Sequence, residues 1–148
     1  MSQDAKPKPT KPEPAKIHVD AIEWTPAEGA VTRVRIKRLI TRAHHGSELT
    51  QGVCVMDPGE ATNLWSSATE SDVGAGGHGG DQGGDHWYGP VEETYFCIRG
   101  RLKLIWDQGE IEFGPLDSVY LAPGWHYRLE NVGEDEAFFV YNMTPSQE

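Results

Sequence analysis

The sequence predicts an all-β domain, a sandwich or barrel built from short strands. After residue 17, turn-forming Gly, Pro and Asp residues recur at spacings of about 8 to 12 residues, and the segments between them are apolar or alternate apolar with polar. No stretch holds the i, i+3, i+4, i+7 apolar pattern of an amphipathic helix. The chain has 148 residues, enough for one domain with a buried core.

The first 16 residues differ in composition from the rest. Four lysines alternate there with four prolines, and nothing apolar is available for burial. We expect residues 1–16 to form a disordered tail, with a basic arm as the alternative. Residues 17–148 should then form the single folded domain.

Nine strands are expected within that domain. In the first, Val34 and Ile36 share one face while Arg35 and Lys37 occupy the other, which is typical of a half-buried strand. The nine predicted strands span residues 31–40, 49–56, 61–66, 91–98, 101–106, 111–113, 118–121, 125–129 and 137–143.

The segment 67–90 interrupts this pattern. Eight of the chain's 17 glycines lie between Gly74 and Gly89. Glycine loses the most backbone entropy when it becomes ordered, so the segment is expected to be a long loop. Long loops in compact domains are usually functional or disordered.

The residues with the clearest chemistry follow this loop. Strand alternation places Glu93, Tyr95 and Cys97 on one face of the strand 91–98. A buried glutamate is costly unless it is paired or bound to a metal, and His86 lies close to it in sequence. His126 lies two residues after the turn Pro123-Gly124 and is a second imidazole candidate.

Two motifs in this region resemble those of the cupin superfamily, whose members are small jelly-roll barrels that hold a divalent metal. The first combines a histidine, a glutamate and a glycine separated from the glutamate by six residues. The second combines a glycine, a Pro-Gly turn, a histidine and an asparagine, here with one residue fewer in the turn and one more before the asparagine. The matching residues are His86, Glu93 and Gly100, then Gly114, Pro123, Gly124, His126 and Asn131.

The resemblance implies a cupin-type double-stranded β-helix with metal ligands His86, Glu93 and His126. The chain departs from the family pattern at Tyr88, which stands where a second histidine belongs, and in the inserted loop at about 67–90. Either Tyr88 or His78 is expected to complete the site.

Two imidazoles and a carboxylate suit several divalent metals and match the ligand set of non-haem iron oxygenases. We expect Fe²⁺, with Mn²⁺, Ni²⁺ or Zn²⁺ as alternatives. Tyr88 and Tyr95 are the candidate catalytic residues, because a nearby cation would lower the pKa of a tyrosine and let it exchange protons. Tyr88 could equally be a wall of the cavity.

Three further residues are predicted to contact the substrate. Trp87 and Trp125 each adjoin a proposed ligand, and the alternative for both is a place in the core or cavity wall. Arg128 lies two residues beyond His126, so it shares the face of His126; it could bind an anionic substrate or pair with a carboxylate.

Three functions remain open at this point. The first is a metal-dependent dioxygenase acting on a small oxygen-bearing organic substrate. The second is a redox-neutral, metal-dependent lyase or isomerase that transfers a proton through a tyrosine. The third is a cupin that binds a small ligand without catalysis, since one histidine of the first motif is missing.

The composition limits partners and location. The formal net charge is −10, and so acidic a surface repels nucleic acid and anionic lipid. With no apolar run of transmembrane length and no signal-peptide pattern, we expect a cytoplasmic protein. Cys54 and Cys97 lie in apolar runs and are expected to be buried free thiols. A homodimer paired through the strand 31–40 is also expected.

Overall fold

A computed structural model of the chain describes residues 11–25, 34–62, 65–66, 86–87 and 91–146, with the side chains of 65–66 and 86–87 excepted. Strands dominate these residues. A 3₁₀ turn (Val19–Ala21) and one helical turn, α1 (Arg42–His45), are the helical elements within them. The strands are β1 (Arg35–Ile40), β2 (Thr50–Met56), β3 (Trp65–Ser66), β4 (His86–Trp87), β5 (Glu92–Arg99), β6 (Leu102–Trp106), β7 (Gly109–Phe113), β8 (Ser118–Leu121), β9 (His126–Asn131) and β10 (Ala137–Thr144).

These strands form two five-stranded sheets. The first has the order β1-β2-β10-β5-β8, and the second has the order β4-β3-β9-β6-β7. Neighbouring strands are antiparallel except for the short parallel pair β3 and β4. The all-β prediction is confirmed, and the architecture is a jelly-roll sandwich.

The core lies between the sheets and follows the two-residue period of the strands. On β10, Ala137, Phe139, Tyr141 and Met143 are buried, whereas the residues between them are only partly buried. On β5 the buried set is Glu93, Tyr95 and Cys97, as the alternation predicts. A carboxylate therefore lies on the inner face of a central strand.

The two ends of the sandwich differ. Glu93 pairs with Met143 near the end of β10 and with Leu121 at the end of β8. We call this end of the sandwich the Glu93 end. At the opposite end, the buried Asn131 donates hydrogen bonds to the carbonyl oxygens of Met56 and Asp135. The Oδ1 of Asn131 accepts a hydrogen bond from the backbone N–H of Gly133. The Asn131 end is thus closed by backbone hydrogen bonds.

Two local features differ from the sequence-based expectation. Lys37 was expected to face solvent, but it is 7% exposed because the segment before β1 covers it. Its Nζ donates to the carbonyl oxygen of Val19 at 2.9 Å and lies 4.6 Å from the ring centroid of Trp24. The second feature is β4, a strand in a stretch that was expected to be loop.

The predicted tail is described only from residue 11 onward. Residues 11–16 are exposed and carry no helix or strand, while residues 1–10 lie outside the described residues. Most of the inserted segment 67–90 also lies outside them. No helix among the residues described is long and apolar enough to cross a membrane.

Both cysteines are free and buried, as predicted. Cys54 and Cys97 each stand opposite Phe139, on the two strands that flank it. Two strand spacings, about 9.5 Å in all, separate the two Cα atoms, beyond the roughly 7 Å limit for a disulfide. Burial raises the pKa of the Cys97 thiol, and the nearby carboxylate of Asp117 raises it further.

We therefore expect neither thiol of the native protein to react with a thiol-specific disulfide reagent near neutral pH, because both are buried and, at Cys97, thiolate formation is suppressed as well. Both should react at once in guanidinium chloride. Spectrophotometric counting of released chromophore checks this, with the exposed-site variant Glu134→Cys as a control that reacts before unfolding. A native thiol that reacts as fast as this control would contradict the burial of the cysteines.

Candidate active site

The candidate active site is built around Glu93, which is 3% exposed. Tyr95 donates a hydrogen bond to Glu93 Oε1 at 2.8 Å, and Tyr127 donates to the same oxygen at 2.5 Å. Both tyrosines are at most 1% exposed. We call these three residues the tyrosine–glutamate cluster.

The two tyrosines reach Glu93 from different layers. Tyr95 lies two residues along β5, and so projects from the same face of the first sheet. Its ring packs edge-on against Phe139, with centroids 5.8 Å apart and an interplanar angle of 77°. Tyr127 lies in β9 of the second sheet, so the hydrogen bond from Tyr127 to Glu93 joins the two sheets.

Hydrogen bonds to an ionised carboxylate are short and about twice as strong as neutral ones. Burying a carboxylate costs roughly several kcal/mol of hydration free energy. The two hydroxyl donors on Oε1 offset part of that loss. In the cluster, two phenol hydroxyls therefore share one oxygen of a buried carboxyl group.

Tyr127 was not singled out from the sequence, although a signal for it exists. On β9, Tyr127, Leu129 and Asn131 are buried, while the residues between them are exposed or partly buried. Counting back in steps of two from the apolar Leu129 places Tyr127 on the inner face. The prediction of His126 instead rests on its residue type and on its position after the Pro-Gly turn.

The structure does not bring His126 to Glu93. Because successive strand residues face opposite sides, His126 lies on the outer face of β9, next to Asp107. Its Nδ1 is 3.2 Å from Asp107 Oδ2, and its backbone N–H also donates to that carboxylate. The predicted role of His126 as a metal ligand is therefore not supported by where its imidazole lies.

Two of the predicted substrate-contact residues, Arg128 and Trp125, lie in different environments. Arg128 is on the outer face of β9, where its guanidinium pairs with Glu130 at 3.3 Å. This is the pairing that the sequence left as the alternative to substrate binding. Trp125, in contrast, is partly buried and packs against the core.

His86 and Trp87 are located by backbone register alone. His86 pairs with Trp65 of β3, and Trp65 in turn pairs with Tyr127 of β9. The backbone at His86 therefore lies in the same row as Tyr127, two strands away. The predicted roles of Tyr88 and His78 fall outside the described residues.

The donor set can be compared with the expected metal site. Within the described ranges, no three His, Cys, Asp or Glu side chains form a group that could hold a metal ion. The polar neighbours of Glu93 given by the structure are phenol hydroxyls, which donate hydrogen bonds to its carboxylate. His126 lies elsewhere, and the side chains of His86, Tyr88 and His78 lie outside the described residues, so the site of two imidazoles and one carboxylate stays a prediction.

Comparison with known proteins gives the fold. No protein-family model matches the chain, and no curated protein sequence matches it. Among solved structures, a Thermotoga maritima protein described as a predicted oxalate decarboxylase aligns with a TM-score of 0.66 and 12% identity, over 88% of this chain and 99% of that one.

Two further structures give the same result. KdgF from Halomonas sp. aligns with a TM-score of 0.64 and 9% identity, over 92% of this chain and 97% of that one. A cupin 2 conserved barrel domain protein from Salinispora arenicola aligns with a TM-score of 0.56 and 18% identity, over 90% of both chains. The protein therefore has the fold of the cupin superfamily, the double-stranded β-helix.

Proposed function

We propose that this protein is a redox-neutral enzyme, a lyase or isomerase, that moves a proton on a small oxygen-bearing organic substrate. The observation that supports this most directly is the pair of tyrosine hydroxyls on one oxygen of the buried Glu93 carboxylate. Glu93 and Tyr127 are the proton-transfer pair, and Tyr95 positions the carboxylate.

A purely structural role explains the cluster less well. A buried ion pair or carboxylate is weak evidence for stability, because well-packed apolar residues of similar volume often do as well or better. The neighbours of Glu93 along the sheet, Met143 and Leu121, are apolar. A leucine or methionine at position 93 would continue that packing, so the presence of a carboxylate favours a chemical role.

The proton transfer uses the existing hydrogen bonds. Tyr127 gives its hydroxyl proton to Glu93 as it accepts a proton from a carbon atom next to the substrate carbonyl, leaving an enolate. The hydrogen bond from Tyr95 keeps the carboxylate oriented throughout. Return of the proton to a different carbon gives an isomer, whereas its transfer to a leaving group gives elimination. Atoms and charge balance in both cases without a redox partner.

The iron-dioxygenase alternative has less support from the described residues. It needs two imidazoles beside Glu93, and His126 instead faces Asp107 on the outer side of β9. The side chains of the other predicted ligands, His86, Tyr88 and His78, lie outside the described part of the structure. No step of the proposed reaction depends on a metal.

The proposal predicts that Glu93→Gln lowers activity by about 10² to 10⁴-fold, the usual contribution of general acid–base catalysis. Activity is measured by NMR as the protein-catalysed incorporation of solvent deuterium next to the carbonyl, in a panel of small aldehydes and ketones. Glu92→Gln is the matched control, because Glu92 is exposed on the other face of β5 and should leave the rate unchanged. Tyr127→Phe should lower the rate as strongly as Glu93→Gln.

Three results would overturn the proposal. The first is an equal rate in Glu93→Gln and the wild type, provided that circular dichroism shows both to be folded. The second is activity that is lost on chelation and restored by one metal, which would return the metal-dependent hypothesis. The third is ligand binding without exchange on any member of the panel, which would favour the non-catalytic alternative.

A further inference from the structure

A cavity of about 330 Å³ lies where the two sheets end side by side. β8 is the edge strand of the first sheet and β7 is the edge strand of the second. We call this cavity the seam pocket. Six apolar side chains line it: Leu104, Trp106, Ile111, Val119, Leu121 and Trp125.

The seam pocket adjoins the tyrosine–glutamate cluster through two direct cross-strand neighbours. Leu121 pairs with Glu93, and Trp106 pairs with Tyr127. Directly opposed residues on antiparallel strands have Cβ atoms about 4.5 to 5.5 Å apart. Glu93 and Tyr127 are themselves buried, and each is one cross-strand neighbour away from a residue that lines the seam pocket.

The lining of the seam pocket has a clear chemical character. None of the described residues that form it is charged, and Ser118 and Tyr120 add the polar side chains. A carboxylate placed there would lose hydration without gaining a cationic partner, in a chain whose net charge is −10. The pocket volume is near the lower limit of the roughly 300 to 1,000 Å³ usual for small-molecule sites.

We infer that the substrate is a neutral carbonyl compound with one apolar, aromatic-sized group, and that this group occupies the seam pocket. This inference rests on the proposed function and narrows its substrate class. It excludes the anionic substrate that the sequence left open at Arg128. The rings of Trp106 and Trp125 pack on the apolar group, while its carbonyl end meets Tyr127.

Three probes of nearly the same shape test the charge preference. Phenylacetone is neutral, phenylacetate is its anionic counterpart, and 2-phenylethylammonium is the cationic one. Isothermal titration calorimetry is expected to show phenylacetone binding at least about tenfold more tightly than either ion, because only the ions lose charge hydration. Equal or tighter binding of phenylacetate would overturn the inference. Tighter binding of the ammonium would do so as well, since tryptophan rings also attract cations.

Substitutions at Ile111 test the location. Ile111 lines the pocket but is 47% exposed, so changes there should leave the fold intact. Ile111→Trp should fill the pocket and weaken phenylacetone binding at least tenfold, whereas Ile111→Ala should retain it. Ile111→Lys should reverse the preference in favour of phenylacetate. Unchanged binding of phenylacetone in Ile111→Trp would place the ligand elsewhere and overturn the inference.

The two proposals can fail separately. Binding is measured in Glu93→Gln as well as in the wild type, so a failure of catalysis does not alter the binding result. If phenylacetone binds in the seam pocket but no compound undergoes exchange, the proposed function fails alone. If exchange occurs and depends on Glu93, yet Ile111→Trp does not affect binding or rate, the seam pocket inference fails alone.

Discussion

Gly100→Ala is expected to destabilise the protein by about 2 to 5 kcal/mol, from backbone strain and overpacking together. Gly100 has φ of +92°, a conformation that residues with a side chain rarely adopt. A Cβ atom there would also lie 2.7 Å from Cα and 2.9 Å from Cβ of Ala137. Ala137 begins β10, which pairs with both β2 and β5, so its backbone cannot easily move away.

Gly124→Ala is the matched control. Gly124 also has a positive φ, +112°, but an added Cβ would meet no atom of the described residues within 4 Å. It should therefore cost the strain alone, about 1 to 3 kcal/mol. Urea denaturation of both variants measures the difference. Equal free energies of unfolding would show that the contact with Ala137 relaxes and that Gly100 is needed only for its backbone conformation.

Asn131→Asp is expected to cost about 3 to 5 kcal/mol, the usual penalty for an uncompensated buried charge. Asn131 is 3% exposed. Its Nδ2 donates to the carbonyl oxygens of Met56 and Asp135, both at 2.9 Å, and its Oδ1 accepts from Gly133 N–H at 2.9 Å. A carboxylate keeps only the last of these bonds and directs negative charge at two carbonyl oxygens.

The loss of stability in Asn131→Asp should become smaller in acid, because the introduced carboxyl group is then protonated and can donate one hydrogen bond. Asn142→Asp serves as the control, because Asn142 lies on the outer face of β10, half-buried, between Gln51 and Thr94. It should cost less than about 1 kcal/mol, as is usual for a surface hydrogen bond. Thermal unfolding across a range of pH compares the two. A similar loss in both variants would mean that the Asn131 end is not held by its three hydrogen bonds.

Much of the fold could be predicted because its signals are local. The alternation in β5 placed Glu93, Tyr95 and Cys97 correctly on the inner face, and the turn glycine Gly100 was located by spacing. Such patterns depend only on the two-residue period of a strand and on which residues tolerate positive φ. They need no knowledge of what the strand pairs with.

The features that escaped prediction depend on distant contacts. β4 has two residues and exists through pairing with β3, which no local pattern shows. Lys37 is buried because Trp24 and Val19 come from a segment outside its own strand. In the site, the prediction of His126 rests on its residue type. The two-residue period of the strand instead places Tyr127 on the inner face.

The position of Tyr127 has a mechanical consequence. Its hydroxyl and the carboxylate of Glu93 belong to opposite layers of the sandwich, so the 2.5 Å between them is also a measure of how far apart the layers stand. Core side chains act as spacers that set this gap. A substitution that swells or shrinks the core far from the cluster will thus change this distance, and in the proposed reaction the rate of proton transfer would fall before the protein unfolds.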